Sequence, residues 1–395
     1  MHAPTAHSAI PAIPAIPALP ATGPLAAFAS FGALALKSMD RSRQARGKLL
    51  DRAGYGPQET PSTILHAETG LNLRRYAPEN EDGPPVLLVP APIKRSYIWD
   101  LAPEVSVVRR WLARGYRVYL AEWTPVPEDQ GEDFGLDDYG DRLLAACRRA
   151  IAQDRGEDGG KDGGGQRLVI AGHSLGGILA AIYSCLHPEQ VRATILLESP
   201  LHFEAGSCCF RPLVQAVPHA GQLAATFRQV PGVFLNMMSA LAEPQAFQWE
   251  RMTDRYLSLG NPQAMATHMR VERWTHDEFA LPGRLFTDIV ESLYRNDDFM
   301  AGRLDIGGRR IGPRDLATPL VSVVDPRSRV IPWNAVVPFH EAAASDRKCL
   351  LRYGGDIGVN LQHVGVLVGA GAHARIWPAI FDWLDGADPN DGAAA

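Results

Sequence analysis

Apolar and polar positions along this chain alternate between two periods, and the switches between them mark out its elements. Pro84-Pro85-Val86-Leu87-Leu88-Val89-Pro90 is apolar throughout, the pattern of a central parallel strand covered on both faces. Residues 105–112 then repeat apolar side chains at helical spacing, and residues 116–123 read as a strand. Residues 136–151 put Tyr139, Leu143, Leu144, Cys147, Ala150 and Ile151 on one helical face. A short apolar run at 168–171 passes into a helix to about residue 186, and residues 192–198 form the next strand. This alternation predicts an α/β fold with a doubly wound, mostly parallel sheet. Ahead of it, two runs flanking Glu68-Thr69-Gly70 read as a hairpin.

Between about residues 203 and 316 the sheet rhythm stops. Helical pieces rich in Met, Phe and Trp replace it, such as the run from Phe234 through Met237 and Met238 to Leu241. An insertion at this point of such a sheet reads as a cap that walls a pocket. The sheet resumes at residues 319–325, followed by a helix from about Trp333, a strand at 349–353, a loop bearing His363 and a closing helix to about Leu384. The expected organisation is an Ala/Pro-rich tail and apolar segment over 1–45, a single catalytic domain over 46–388 with its cap at 203–316, and a flexible end at 389–395.

The chemistry concentrates at one switch of period, where Gly172-His173-Ser174-Leu175-Gly176 joins the strand at 168–171 to the following helix. A serine hydroxyl is a weak nucleophile, and a strained strand-to-helix turn holds it where a base, an acyl carbon and an oxyanion site can converge. The glycines allow the chain to reverse without a colliding Cβ. The backbone N–H of Leu175, at a helix N-terminus, is free to face a developing oxyanion.

Composition narrows the alternatives. The chain has 395 residues, 46% of them hydrophobic, and a formal net charge of -5, so it can bury a large core and has no basic stripe for nucleic acid. Cys147, Cys185, Cys208, Cys209 and Cys349 show no C-x-x-C spacing, which fits a reducing cytoplasm and small hydrophobic roles. No ligand spacing suggests a metal or redox cofactor. The first residues repeat Ala-Ile-Pro and favour extended chain. No apolar run reaches the roughly 18 to 20 residues that span a bilayer, and the basic region of a secretory signal is missing. Residues 24–37 are apolar enough for a helix that docks on its own domain or lies on a lipid or polymer surface. The Gly/Asp stretch at 156–165 precedes a strand and lacks the G-K-[ST] order, so it is a connector rather than a phosphate loop.

In a sheet of this kind the catalytic groups follow the carboxyl ends of strands in the order nucleophile, acid, histidine. His363 is the expected general base for Ser174. His173 lines the pocket, because adjacent side chains on a tight turn diverge, and His202 is a minor candidate. Two carboxylates end strands and compete for the acid's place: Asp325, after the cap, is preferred, and Glu198 is the alternative. The second oxyanion donor belongs to the loop after Val89; Pro90 and Pro92 cannot donate, leaving Ile93 or Lys94.

Several segments carry a resemblance beyond the elbow. Pro85-Val86-Leu87-Leu88-Val89, the run from Lys94-Arg95-Ser96-Tyr97 to Glu104, Leu136-Asp137-Asp138-Tyr139, Leu186-His187-Pro188-Glu189, Arg273-Trp274, Gly307-Gly308-Arg309-Arg310 and His363-Val364-Gly365-Val366 together resemble the polyhydroxyalkanoate synthase family of α/β-hydrolase proteins, over residues 71–384. The resemblance implies an α/β-hydrolase fold and acyl transfer from hydroxyacyl esters or thioesters, with Ser174 as nucleophile, His363 as base and Ile93 near the oxyanion. Two departures matter. Such synthases carry cysteine in the elbow, and serine instead points to an esterase, where water completes the cycle. The family's acid stands four residues before a proline, a place held here by Ser328 in Ser328-Arg329-Val330-Ile331-Pro332, with Asp325 three residues earlier, which keeps Glu198 open.

The expectation is therefore a serine-dependent hydrolase of acyl esters or thioesters acting without a cofactor. A hydroxyacyl-CoA acyltransferase is the alternative, and a non-catalytic protein associated with a membrane or polyester granule is a third class. A homodimer is compatible with any of them.

Overall fold

The structure, a computed structural model, describes residues 24–76, 82–154, 166–204, 206–217, 219–227 and 229–386. The expected Ala/Pro-rich stretch before residue 24, the Gly/Asp connector at 156–165 and the segment 389–395 lie outside them.

Eight strands form one sheet: β1 (Ser62–Glu68), β2 (Leu71–Tyr76), β3 (Pro85–Val89), β4 (Arg117–Trp123), β5 (Leu168–His173), β6 (Val191–Leu197), β7 (Leu320–Val324) and β8 (Lys348–Arg352). Their order is β1-β2-β4-β3-β5-β6-β7-β8, antiparallel from β1 to β4 through β2 and parallel from there on. The strands that read as continuous apolar runs are central: every residue of β3, β5 and β7 is buried. The edge strands β1 and β8 keep exposed positions, as their more polar composition requires.

Period-2 alternation divides the buried strand residues between two cores. Leu87, Val89, Leu168 and Ile170 face one cluster, filled by α3 (Leu143–Asp154) and α4 (Leu175–Leu186). Val86, Leu88, Val169 and Ala171 face the other, filled by α2 (Val107–Ala113) and by the closing segment with Trp377, Ile380 and Phe381. Ser106 caps α2 by accepting the N–H of Arg109 at 2.9 Å. The insertion between β6 and β7 contains helices Gly232–Ala242, Arg251–Ser258 and Pro262–Thr275, and a hairpin at Leu304–Ile306 and Arg309–Ile311 that returns to α4 through Arg309 and the Leu186 carbonyl, 2.9 Å.

The apolar segment after residue 24 is part of a longer helix, α1 (Pro24–Leu50), which runs across the expected boundary at residue 45. Its polar half docks on the cap. Asp40 accepts the N–H of Val233 at 2.8 Å, Arg43 pairs with Glu278 at 3.0 Å, and Asp51, just past the helix, pairs with Arg273 at 2.7 Å. Among the described residues, no single helix is long and apolar enough to cross a membrane.

Candidate active site

The chain reverses at Ser174, which has φ 56 and ψ -128 between β5 and α4. This region is costly for a residue with a Cβ and is the strained backbone geometry expected of a nucleophile turn. Close packing holds it there. A Cβ on Gly172 would lie 2.3 Å from the Gly176 carbonyl oxygen, one on Gly176 2.1 Å from that of Val89, and one on Gly177 1.8 Å from Ser199 Oγ. The glycines thus seat the elbow directly against the end of β3, where the loop bearing Ile93 and Lys94 begins.

His363 lies in the turn Gln362–Val364 and lines the same cavity as Ser174, as do Leu175, Ile93, Lys94 and His173. The ring of His173 sits 4.7 Å from that of His363, and its Nε2 donates to the His363 carbonyl at 2.8 Å. His173 therefore braces the histidine from behind. Lys94 is tied to the cap: its ammonium donates to Glu278 at 2.9 Å and to the Thr275 carbonyl at 3.0 Å, and lies 5.2 Å over the Trp274 ring. Burial lowers its pKa, opposed by Glu278.

The two candidate acids sit on neighbouring strand ends and face different partners. Glu198, immediately after β6, is 1% exposed and has φ 46. Its Oε1 accepts the N–H of Asp325, and its Oε2 lies 3.9 Å from His363 Nδ1. Both of these facing atoms are buried without a hydrogen-bond partner. Asp325 points its carboxylate at Arg327, accepting from its N–H at 2.9 Å and its guanidinium at 3.2 Å; among the described residues it makes no ion pair with His363. Ser328 lies close enough for its hydroxyl to favour the Glu198 anion. At that position the sequence departs from the family pattern, which keeps Glu198 open beside the preferred Asp325. His202 is engaged elsewhere, with Asp297 at 2.6 Å.

Burial dominates the electrostatics. It pushes Glu198 up and lowers His363 to about 4, because a charge loses its hydration in an enclosed site. A histidine with a lowered pKa is neutral, and so able to accept a proton, at every pH above that value. We expect kcat/KM for a simple ester to fall along an acid limb that belongs to the His363–Glu198 pair, with the imidazole itself taking up its proton only as pH approaches about 4. The unfolded chain takes up this proton first, so the fold also loses stability as pH falls from 6.5 through about 4. A pH-rate profile, with circular dichroism at each pH showing that the protein stays folded, checks the acid limb and separates it from unfolding.

The cavity at Ser174 has a volume of about 160 Å³, and the cap contributes Asn236, Ser239, Trp274 and Tyr294 to its wall. A second cavity of about 160 Å³ adjoins it, sharing Ile93, Leu175, Leu235 and Tyr294, and continues between Leu213, Phe234, Met238 and Phe286. The sequence places a cap over a pocket without saying which of its side chains form the wall, since apolar helical spacing is the same for a core and for a pocket wall.

A doubly wound sheet with a serine on a strained elbow defines an α/β-hydrolase. The chain belongs to the Alpha/beta hydrolase family, whose model matches residues 86–368. Within it the chain is polyhydroxyalkanoate synthase-like. It is 26% identical over 352 residues to the poly(3-hydroxyalkanoate) polymerase subunit PhaC of Haloarcula marismortui, covering 86% of this chain and 70% of that one. To the PhaC subunit of Allochromatium vinosum it is 25% identical over 360 residues, covering 89% and 97%. Among solved structures, the fold is similar to a monoglyceride lipase of Saccharomyces cerevisiae (TM-score 0.51, 14% identity, 83% of this chain and 95% of that one). It is also similar to a monoacylglycerol lipase of Paleococcus ferrophilus (TM-score 0.50, 14% identity, 80% and 98%).

Proposed function

We propose that this protein transfers hydroxyacyl groups from a thioester through an acyl-enzyme on Ser174. The observation that carries the reading is the convergence of Ser174, His363 and Glu198 beside a cavity walled by the cap. His363 takes the Oγ proton as Oγ bonds to the acyl carbon, and returns it to the departing thiolate sulfur as the carbon–sulfur bond breaks. An acceptor O–H then gives its proton to His363, its oxygen bonds to the acyl carbon, and the Ser174 ester bond breaks with the proton restored to Oγ. The N–H groups of Leu175 and of Ile93 or Lys94 serve the oxyanion. Glu198, rather than Asp325, orients the imidazole and stabilises its cation.

The PhaC relatives favour the hydroxyl of another hydroxyacyl unit as acceptor. Ser174 favours a second reading, hydrolysis, because an oxygen ester on the enzyme is a poorer relay for repeated thioester exchange than a thiolate, and water can finish the cycle. Incubation with 3-hydroxybutyryl-CoA separates them. We expect release of free CoA with ester-linked hydroxybutyrate oligomers; free 3-hydroxybutyrate as the sole acyl product assigns hydrolysis, and no Ser174-dependent CoA release refutes both.

A further inference from the structure

His363 is carried by a loop that belongs in part to the cap. Residues 354–361 form neither helix nor strand and turn through Gly355, Gly358 and Asn360 at φ 74, 87 and 61. The first half is tied to the core: Asp356 accepts the N–H groups of Gly371 at 2.7 Å and Ala372 at 3.1 Å. The second half, next to His363, is tied to the cap by Asp254 of the helix Arg251–Ser258. Its Oδ1 accepts the N–H of Gly358 and its Oδ2 that of Asn360, both at 2.8 Å, and Oδ2 lies 2.7 Å from His268 Nδ1 on the helix Pro262–Thr275.

Further contacts complete the clamp. Asn360 Nδ2 donates to Glu272 on the same cap helix at 2.9 Å, and Arg251 holds Glu272 at 2.6 Å. Asp254, His268 and Asn360 are 6%, 2% and 2% exposed, so water does not compete for these bonds and the carboxylate's bonds are charge-assisted. Gly358 lies so close to the cap that a Cβ there would be 2.7 Å from Ala264. None of these groups lines the cavity at Ser174.

We infer that Asp254 is a positioning residue for His363: it registers the histidine loop on the cap, so that the seating of the cap sets the approach of His363 to Ser174 and Glu198. The inference rests on His363 as the general base. His363 Nδ1 stands 3.9 Å from Glu198 Oε2, about 1 Å beyond a hydrogen bond. Catalytic hydrogen bonds commonly tighten only in the substrate complex. Because Gly358 and Asn360 are tied to the cap, a cap closing on an acyl group would carry the loop that bears the base.

The test compares Asp254→Asn, Asn360→Gly and, as control, His363→Gln, with thermal unfolding confirming that each is folded. Asn360→Gly suits the left-handed backbone and removes only the side-chain ties. With p-nitrophenyl butyrate we expect Asp254→Asn to lower kcat by about 10- to 100-fold, the scale of a 1 Å misplacement, with KM within about twofold. Its fluorophosphonate labelling rate should fall by a like factor, and the acid limb of its pH profile should rise towards the ordinary imidazole value as water reaches the loosened loop. Asn360→Gly should shift both in the same direction by less. A folded Asp254→Asn enzyme with unchanged kcat and acid limb overturns the inference; if that variant does not fold, unchanged values in Asn360→Gly do so. Full activity in His363→Gln would instead refute the general-base reading.

Discussion

Ser174→Ala abolishes covalent labelling by a fluorophosphonate and lowers ester or thioester turnover by about 10⁴- to 10⁶-fold, the range seen when a triad nucleophile is removed. The expectation rests on geometry. Ser174 sits at φ 56 and ψ -128, seated by three glycines whose neighbours leave no room for a Cβ, and it shares a cavity with His363. Alanine carries the same Cβ, so the elbow keeps its backbone and its strain, and the unfolding temperature should stay close to that of the parent. Loss of labelling with the fold intact isolates the hydroxyl as the reacting group. Stoichiometric labelling of the folded Ser174→Ala protein would place the nucleophile elsewhere.

Glu198→Gln lowers kcat by about 10² to 10⁴, while Asp325→Asn changes it by less than about tenfold. Glu198 Oε2 and His363 Nδ1 face each other as buried atoms without partners, and a group left unsatisfied in this way is costly unless another state of the enzyme uses it. Imidazolium formation is such a state: once His363 holds the serine proton, the Glu198 carboxylate is its counter-charge in a site from which water is excluded. The Asp325 carboxylate is already committed to Arg327. Stability should respond in the opposite sense. Glutamine removes a buried ionisable group, so Glu198→Gln should unfold at the same or a higher temperature, whereas Asp325→Asn loosens the turn at Arg327. Steady-state kinetics and thermal melts of the two variants decide the matter, and the reverse ranking of kcat would assign the acid to Asp325.

The relation between acid and nucleophile shows how far local pattern reaches. Ser174 was legible because its motif is contiguous: five residues, a strand before and a helix after. His363 was legible from its place after the last strand. The carboxylate that faces His363 was not, since Glu198 and Asp325 both end parallel strands, and strand-end position is equally good for either. Their difference arises from the direction of each side chain after a turn, with Glu198 at φ 46 and Asp325 drawn to Arg327. The serine at position 328 keeps Glu198 open without deciding between the two carboxylates.

The cap and α1 illustrate a second limit. Periodicity located the helical insertion and the apolar stretch after residue 24, but the hydrogen bonds that give them a role join residues far apart in the chain, such as Arg43 to Glu278 and Asp254 to Gly358 and Asn360. Such pairs leave no trace in the period of either segment.

By itself, the sequence determined the alternation of strands and helices, the central strands, the elbow serine and the histidine, because hydrophobic period, glycine spacing and strand-end position are local properties. Only the tertiary structure decided which carboxylate faces the histidine, which cap side chains wall the pocket and how the cap holds the loop that bears His363, because those depend on side-chain direction and on contacts that exist only once distant segments pack.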